Sequence, residues 1–268
     1  MEKIGLLAGV GHLPVECARA AQVMGYEVYA VGLLSGVDPE LPAAVTEYAD
    51  INVAKLGRII DYLKKHGVTK VTAIGKVSKE LLMNGRHELP DWRMVKLLLS
   101  LPDHKDDTLM LTFVAALKKE GIELVDQTLL IRPLMPAAGT LTRRAPSENE
   151  RRDMTFGFRM AKEIGRLDVG QTAVVKGMAV MALEAIEGTD ACIRRGGKLA
   201  RGGAVVVKVA KPEQDRRFDV PAVGVTTVES MIEAGATALA IEAEHTLLVD
   251  RAQTIALAEA HDITIVAM

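Results

Sequence analysis

Four charged residues beside an apolar run have the types and spacing that pyrophosphate chemistry requires. The segment 207–224 reads VKVAKPEQDRRFDVPAVG, in which Lys208 and Lys211 border an apolar strand, and Asp215 and Asp219 follow in a proline-flanked loop. Lysine ammonium groups neutralise phosphate charge, and paired aspartates bind magnesium or activate a water molecule. We therefore predict Asp215 and Asp219 as catalytic and metal-binding residues. The alternative is a surface turn whose charges compensate one another.

A second polar loop follows another apolar run, at residues 184–197, which read EAIEGTDACIRRGG. Carboxylates beside arginines can hold a metal ion or fix a phosphate-bearing ligand. This pattern predicts Glu187 as a metal ligand. The side chains that we predict to bind substrate in this half of the chain are Gln171, Glu184, Thr189, Asp190, Arg194, Lys208 and Lys211. The alternative for the loop is a solvated surface with local ion pairs.

A glycine-rich turn lies near the start of the chain, at residues 5–14, which read GLLAGVGHLP. The backbone N–H groups of such a turn can hold a phosphate at a helix N-terminus, so Gly9 and Gly11 are predicted to bind substrate. The spacing departs from the dinucleotide-binding pattern, because Pro14 follows and no acidic residue closes the next strand. A nicotinamide oxidoreductase is therefore disfavoured. The alternative is a tight turn with packing glycines.

Strands and helices must position these segments, and they alternate along the first half of the chain. This alternation predicts an α/β protein with an N-terminal Rossmann-like, doubly wound sheet over residues 1–132. Residues 133–146 contain three prolines and an arginine pair, and we interpret them as a linker. A C-terminal catalytic α/β domain is expected over 147–268. Ser147 and Glu150 predict a capping box at the start of its first helix.

Composition limits the class of protein. The 268 residues are 49% hydrophobic but only 3% aromatic, which suits packed helix–sheet layers. The net charge of −2, with acidic and basic residues interspersed, argues against nucleic-acid binding. Cys17 and Cys192 are too few for a disulfide scaffold or a cysteine-based zinc site, so a reducing cytoplasm is expected. No stretch approaches the ~20 apolar residues that a membrane-spanning helix needs.

Several segments together resemble one family over essentially the whole chain. They are the opening turn, GKVSKELL at 75–82, KDDTLM at 105–110, and two long segments at 170–197 and 207–229. They are similar in order and spacing to the LpxI family of UDP-2,3-diacylglucosamine pyrophosphatases of lipid A biosynthesis. This is the type unrelated to the calcineurin-like metallophosphoesterases. The two long segments are the most specific part of the resemblance.

The resemblance implies a reaction and its partners. It implies hydrolysis of UDP-2,3-diacylglucosamine to UMP and 2,3-diacylglucosamine 1-phosphate (lipid X), with water attacking the sugar-side phosphorus. It also implies Mg²⁺ or Mn²⁺ as cofactor, an essential aspartate that matches Asp215 or Asp219, and an amphipathic nucleotide-sugar lipid held between two domains. Transient contact with the inner-membrane surface and a homodimer are further expectations. The methionines around Met178 and Met181 could line part of the acyl chamber, and the more common alternative is that they are core residues. The alternative function is a non-catalytic binder or sensor of nucleotide-sugar lipids.

Overall fold

A computed structural model describes residues 1–75, 88–101, 106–212, 217 and 220–268 of the chain. The described residues divide into two compact units. The first unit ends at Ile131, and the second begins at Arg132. Asp215 and Asp219, together with most of the predicted GKVSKELL segment, lie outside the described residues.

The first unit is a parallel sheet covered by helices. Its strands are β1 (Glu2–Ala8), β2 (Tyr26–Gly32), β3 (Glu47–Asp50), β4 (Lys70–Ile74) and β5 (Glu123–Leu124), in the order β3-β2-β1-β4-β5. Its helices are α1 (Leu13–Val23), α2 (Leu56–Lys65), α3 (Trp92–Leu99), α4 (Asp106–Lys119) and α5 (Thr128–Ile131), with a short 3-10 turn at Leu41–Ala44. The strands pair in parallel throughout. The predicted α/β class is confirmed.

Apolar periodicity explains how the helices of this unit dock. Helix α2 buries Leu56, Ile59, Ile60 and Leu63, which follow the spacing of one helical face. These side chains pack against the sheet residues Leu7 and Val71, among others, in one apolar cluster. Pro14 lies in the first turn of α1, where its missing N–H leaves no hydrogen bond unmade. The core therefore sits between the sheet and its covering helices.

The second unit is a mixed sheet. Its main strands are β6 (Gly139–Thr140), β7 (Thr172–Lys176), β8 (Ala179–Leu183), β9 (Val205–Lys208), β11 (Ala238–Ile241) and β13 (Thr264–Ala267), in the order β6-β13-β11-β9-β7-β8. A separate parallel pair joins β10 (Ala222–Val223) to β12 (Leu247–Leu248). The helices are α6 (Glu148–Arg166), α7 (Thr189–Ala200), α8 (Val225–Ala234) and α9 (Arg251–Ala260), preceded by a short 3-10 turn at Arg132–Leu134.

Strand direction in the second sheet decides which residues meet. Strands β9, β11 and β13 are parallel, whereas β6, β7 and β8 pair antiparallel with their neighbours. Helix α6 packs on one face, and α7 and α8 pack on the other. Strand β6 falls within the predicted linker 133–146 and pairs with β13. None of the described helices is both long and apolar enough to cross a membrane.

Both cysteines are buried and free. Burial raises the pKa of the Cys17 thiol far above its ordinary value, and it raises the pKa of Cys192 to about 12. A thiol must ionise before it can act as a nucleophile or a metal ligand. The two cysteines are therefore small residues of the core.

The predicted capping box at the start of α6 is confirmed. The Glu150 backbone N–H donates to the Ser147 side chain, and the Glu150 carboxylate accepts from the Ser147 backbone N–H at 2.7 Å. Arg144 donates to both oxygens of the same carboxylate, at 2.9 and 3.0 Å. Burial by itself raises the pKa of Glu150, but the hydrogen bonds from Arg144 and Ser147 outweigh it and lower the pKa to about 2.

Replacing Glu150 with glutamine is expected to destabilise the protein in a pH-dependent way. Because the folded-state pKa is depressed, the ionised carboxylate contributes stability that is fully present above about pH 4.5 and is lost as the pH falls towards 2. Glu150→Gln should therefore lower the free energy of unfolding by about 2 kcal/mol at neutral pH, with the difference shrinking below pH 4.5. Urea unfolding at several pH values measures this. Glu148→Gln, on an exposed residue of the same helix, is the control, and an equal loss in both variants would contradict the assignment.

Candidate functional site

One edge of the second sheet collects polar side chains. Because β7 runs opposite to β9 and β11, the start of β7 lies beside the ends of these two strands. Lys208, the last residue of β9, pairs with Thr172 on one side and with Ile241 on the other. Ligands of α/β proteins bind outside the carboxyl ends of the parallel strands. This edge is therefore the candidate site of the second unit.

Glu184 is the buried carboxylate of this edge. It follows β8 and is only 8% exposed. One carboxylate oxygen accepts from the Thr189 hydroxyl at 3.1 Å, and the other accepts from the Gln171 backbone N–H at 3.3 Å. Two hydrogen bonds leave part of the acceptor capacity of an ionised carboxylate unused. The arrangement can accept further donors or contribute an oxygen ligand to a hard cation.

Gln171 contacts this carboxylate through its backbone N–H, and Lys208 lies on the other side of Thr172 in the sheet. The Gln171 side-chain oxygen Oε1 is buried, and within the described part of the chain it has no hydrogen-bond partner. Buried polar atoms are nearly always paired, so an orphaned acceptor calls for an explanation such as an absent ligand. Lys208 is also buried, and its Nζ donates to the Ala222 carbonyl at 2.8 Å. The edge thus combines a buried cation, a buried carboxylate and an available acceptor.

An ion pair of two residues outside the predicted site lies at the same edge. Lys162 of α6 donates to both oxygens of Glu242, at 2.7 and 2.6 Å, and Glu242 comes directly after β11. The Ala210 backbone N–H donates to Glu242 at 2.8 Å, and the Ala210 carbonyl accepts from Lys162 at 2.9 Å. The pair therefore holds both polar backbone groups of the residue that precedes Lys211. A carboxylate directly after a buried strand was the available sequence signal.

In the first unit, the glycines lie where β1 and β4 end. The Gly9 backbone N–H donates to the Ile74 carbonyl at 2.8 Å. A Cβ on Gly75 would lie 2.8 Å from the Gly9 carbonyl carbon, and Gly75 has a φ of +100°. Gly75 is therefore needed for close packing of two chain segments. Gly11 has a φ of +107° and open space around the position of a Cβ. Glycine is therefore favoured at this position by the backbone conformation and not by packing.

The sequence matches two domain families that together cover nearly the whole chain. Residues 3–134 match the LpxI N-terminal domain, and residues 137–266 match the LpxI C-terminal domain. The chain belongs to the LpxI family. A relative in this family, UDP-2,3-diacylglucosamine pyrophosphatase LpxI of Caulobacter vibrioides, is 34% identical over 270 aligned residues, which cover 97% of this chain and 95% of the relative.

Two solved structures illustrate a weak resemblance to this LpxI-family chain. A UDP-glucose-4-epimerase from Stenotrophomonas maltophila is 11% identical, with 46% of this chain and 35% of that chain covered and a TM-score of 0.31. Glycinamide-RNase-transformylase T from Mycobacterium tuberculosis is 14% identical, with 69% and 44% covered and a TM-score of 0.27. The alignment spans less than half the length of either structure. Likeness at these scores supports no inference.

The structure brings some of the predicted substrate-binding residues of this LpxI-family chain together. Gln171, Glu184, Thr189 and Lys208 share the edge of the second sheet described above. Lys211 lies next to Ala210, and its Nζ donates to Asp168 at 2.6 Å. For Lys211 and the four edge residues, a role in substrate binding stays a prediction.

Other predicted residues of the 184–197 loop form local ion pairs. Glu187 pairs with Arg195, whose hydrogen bond is the main cause of the lowered pKa of Glu187. Arg194 pairs with Glu233 and so joins α7 to α8. Asp190, in the first turn of α7, is partly exposed. For Glu187, Asp190 and Arg194, a role in metal or substrate binding stays a prediction.

The methionines predicted to line part of the acyl chamber lie in and beside the β7–β8 hairpin. Met178 lies in the turn between β7 and β8, is 55% exposed, and is at the end of β7 opposite to Thr172. Met181 packs against the core. A role of Met178 in the acyl chamber stays a prediction.

Proposed function

We propose that this chain hydrolyses UDP-2,3-diacylglucosamine to UMP and 2,3-diacylglucosamine 1-phosphate in lipid A biosynthesis. The observation that carries the proposal is the full-length match to the LpxI family, whose C. vibrioides member is named for this activity. The polar edge of the second sheet supports it, because Lys208 can offset phosphate charge there. Lysine acts on phosphate as a point charge and needs no fixed geometry.

We propose that water attacks the sugar-side phosphorus. The water oxygen bonds to this phosphorus, the bond from it to the bridging oxygen breaks, and the bridging oxygen leaves with UMP. The water protons are released to a base and to solvent. Asp215 or Asp219 is the proposed base or metal-binding group, and Lys208 and Lys211 stabilise the negative charge that grows on the phosphates. Gln171, Thr189 and Arg194 supply hydrogen bonds to the substrate.

The residues present fit a magnesium or manganese ion in part. Such ions take oxygen ligands and are often held by one or two carboxylates together with substrate phosphates. Glu184 and the unpartnered Gln171 Oε1 supply oxygens of this kind, although the described residues contain no cluster of three His, Cys, Asp or Glu side chains. Asp215, Asp219 and Glu187 would hold the ion, and Glu187 would have to leave its pair with Arg195. When bound, the ion neutralises phosphate charge.

Hydrolysis assays with purified protein test the proposal. UMP and the lipid phosphate are expected from UDP-2,3-diacylglucosamine in the presence of Mg²⁺, and EDTA should lower the rate at least about tenfold. In ¹⁸O-labelled water, the label should enter the lipid phosphate and not UMP. Folded protein that binds the lipid product but releases no UMP would instead favour a binder or sensor of nucleotide-sugar lipids.

The chemistry of this substrate also indicates where the protein works. The substrate carries two acyl chains on a charged nucleotide sugar, so we propose a cytoplasmic protein that contacts the inner-membrane surface transiently to collect it. Co-sedimentation with vesicles that contain the substrate, compared with vesicles that lack it, tests the contact. The homodimer and the linker role of residues 133–146 remain predictions.

A further inference from the structure

We propose that a cavity in the first unit binds one acyl chain of the lipid substrate. This inference deepens the proposed function and rests on it. The cavity has a volume of about 590 Å³ and lies where β1 and β4 end, lined by Leu7, Ile74 and Gly75 among others. The volume is within the range of ligand pockets, roughly 300–1,000 Å³. In open parallel sheets, ligands bind at this edge, beside the central strand from which the connections run in both directions.

The walls of this acyl cavity are apolar. Leu7 and Ala73 contribute from the sheet, Met94 and Leu97 from α3, and Phe113 from α4. Leu97 and Met94 are buried, whereas Phe113 is only partly buried although it packs against the same core. An acyl chain binds favourably between such walls because binding removes apolar surface from water. Each methylene group that it buries should strengthen binding about fourfold.

The acyl cavity opens to solvent through apolar side chains. Leu98 lines it and is 44% exposed, and Leu89 lines it and is 82% exposed. Exposed apolar residues that gather at a cavity are typical of a binding surface. An acyl chain that enters here meets apolar side chains from the opening to the sheet.

A polar cavity adjoins the acyl cavity. It has a volume of about 310 Å³, shares Leu33, Asn52 and Glu88 with the acyl cavity, and is also lined by Tyr48 and Asp50. An apolar space followed by a space with carboxylate, amide and hydroxyl groups suits an amphipathic ligand. The acyl chain would occupy the first space and the hydroxyl-bearing sugar would lie towards the second.

A dinucleotide cofactor fits the same place less well. Dinucleotide-binding sheets close their second strand with an acidic residue that holds the ribose. Here β2 ends at Gly32, and Leu33 and Leu34 follow. Leu33 lies in the wall of the acyl cavity, so an apolar side chain stands close to where a ribose carboxylate would be needed.

Two adjacent leucines supply a matched pair of variants. Leu98 lines the acyl cavity, whereas Leu99 is 79% exposed and is not among the lining residues.

Titration calorimetry would compare the binding of 2,3-diacylglucosamine 1-phosphate carrying dodecanoyl chains with that of the analogue carrying hexanoyl chains. The full-length wild type should strongly prefer the longer chains. We expect Leu98→Asp to reduce this preference at least about tenfold and Leu99→Asp to leave it unchanged.

The outcomes separate this inference from the proposed function. If wild type releases UMP and a folded Leu98→Asp variant keeps the full chain-length preference, the assignment of the acyl cavity is wrong and the proposed hydrolase activity is retained. If wild type releases no UMP but the chain-length preference depends on Leu98, the proposed hydrolase activity is wrong and the assignment of the acyl cavity is retained. Should Leu98→Asp not fold, Met110→Asp and Leu111→Asp form a second pair, since Met110 lines the cavity and Leu111 does not. Equal preference in this pair would overturn the inference.

A photoreactive lipid gives an independent readout. The dodecanoyl product with a diazirine near the end of one chain should label residues of α3, α4 or the segment 88–90. Labelling only within residues 132–268 would overturn the inference, whatever the activity of the protein.

Discussion

Alanine in place of one of the two loop aspartates is expected to abolish UMP release almost completely. We expect Asp215→Ala or Asp219→Ala to lower kcat by about 10³-fold or more, because the variant loses the group that positions the metal or accepts the proton of the attacking water. The other variant should retain a measurable rate. Rates of UMP release at saturating Mg²⁺ and substrate measure both.

Two controls make this result interpretable. Asp61→Ala removes an exposed carboxylate of the first unit and should keep the wild-type rate. Binding of 2,3-diacylglucosamine 1-phosphate should survive in whichever aspartate variant is inactive, since the chemical step and lipid binding use different groups. If both aspartate variants keep more than about a tenth of the wild-type rate, the catalytic assignment to this loop is wrong.

The sequence was enough to predict the fold class, because local signals determine it. Apolar runs that alternate with helical periodicity predicted the parallel sheet of the first unit, and the Ser147–Glu150 capping box was readable from two residues. Strand β6 was not predicted, because a contact between distant parts of the chain determines it. It contains only Gly139 and Thr140, and it exists because β13, from the far end of the chain, offers a strand edge for pairing.

The candidate site was predictable only where its residues are close in sequence. Glu184 and Thr189 belong to one segment, and their hydrogen bond follows from the loop that joins β8 to α7. The partners of the charged residues Glu187 and Arg194 could not be predicted from the sequence in this way. Glu187 lies just before α7 and pairs with Arg195 of that helix, and Arg194 pairs with Glu233 of α8. A sequence pattern cannot distinguish such an ion pair from a ligand contact.

The Lys162–Glu242 pair shows what sequence spacing cannot provide. The two residues are 80 positions apart and meet because α6 packs along one face of the sheet and its C-terminal part lies beside the end of β11. Their contacts are with the backbone of Ala210, which precedes Lys211 and the predicted loop of Asp215 and Asp219. We infer that the pair positions this loop. The pair touches no proposed reacting atom. Its loss should therefore lower the rate at which bound substrate is hydrolysed.

Glu242→Gln is therefore expected to lower kcat by about 10- to 100-fold with little change in KM. A glutamine can still accept from the Ala210 N–H, but its NH₂ group cannot pair with the Lys162 ammonium. Losing the pair should also reduce the free energy of unfolding by about 1–3 kcal/mol, less than for a fully buried pair because both side chains are partly exposed. Steady-state kinetics and urea unfolding measure the two effects.

The double variant Lys162→Met with Glu242→Gln separates positioning from stability. Removing both charges leaves no unpaired ion, so the double variant should recover stability relative to Glu242→Gln, whereas kcat should stay low because the Ala210 carbonyl has lost its donor. Glu244→Gln, two residues further on and exposed, should behave as wild type. If kcat recovers together with stability, the pair only holds the fold together, and the loop is positioned by other contacts.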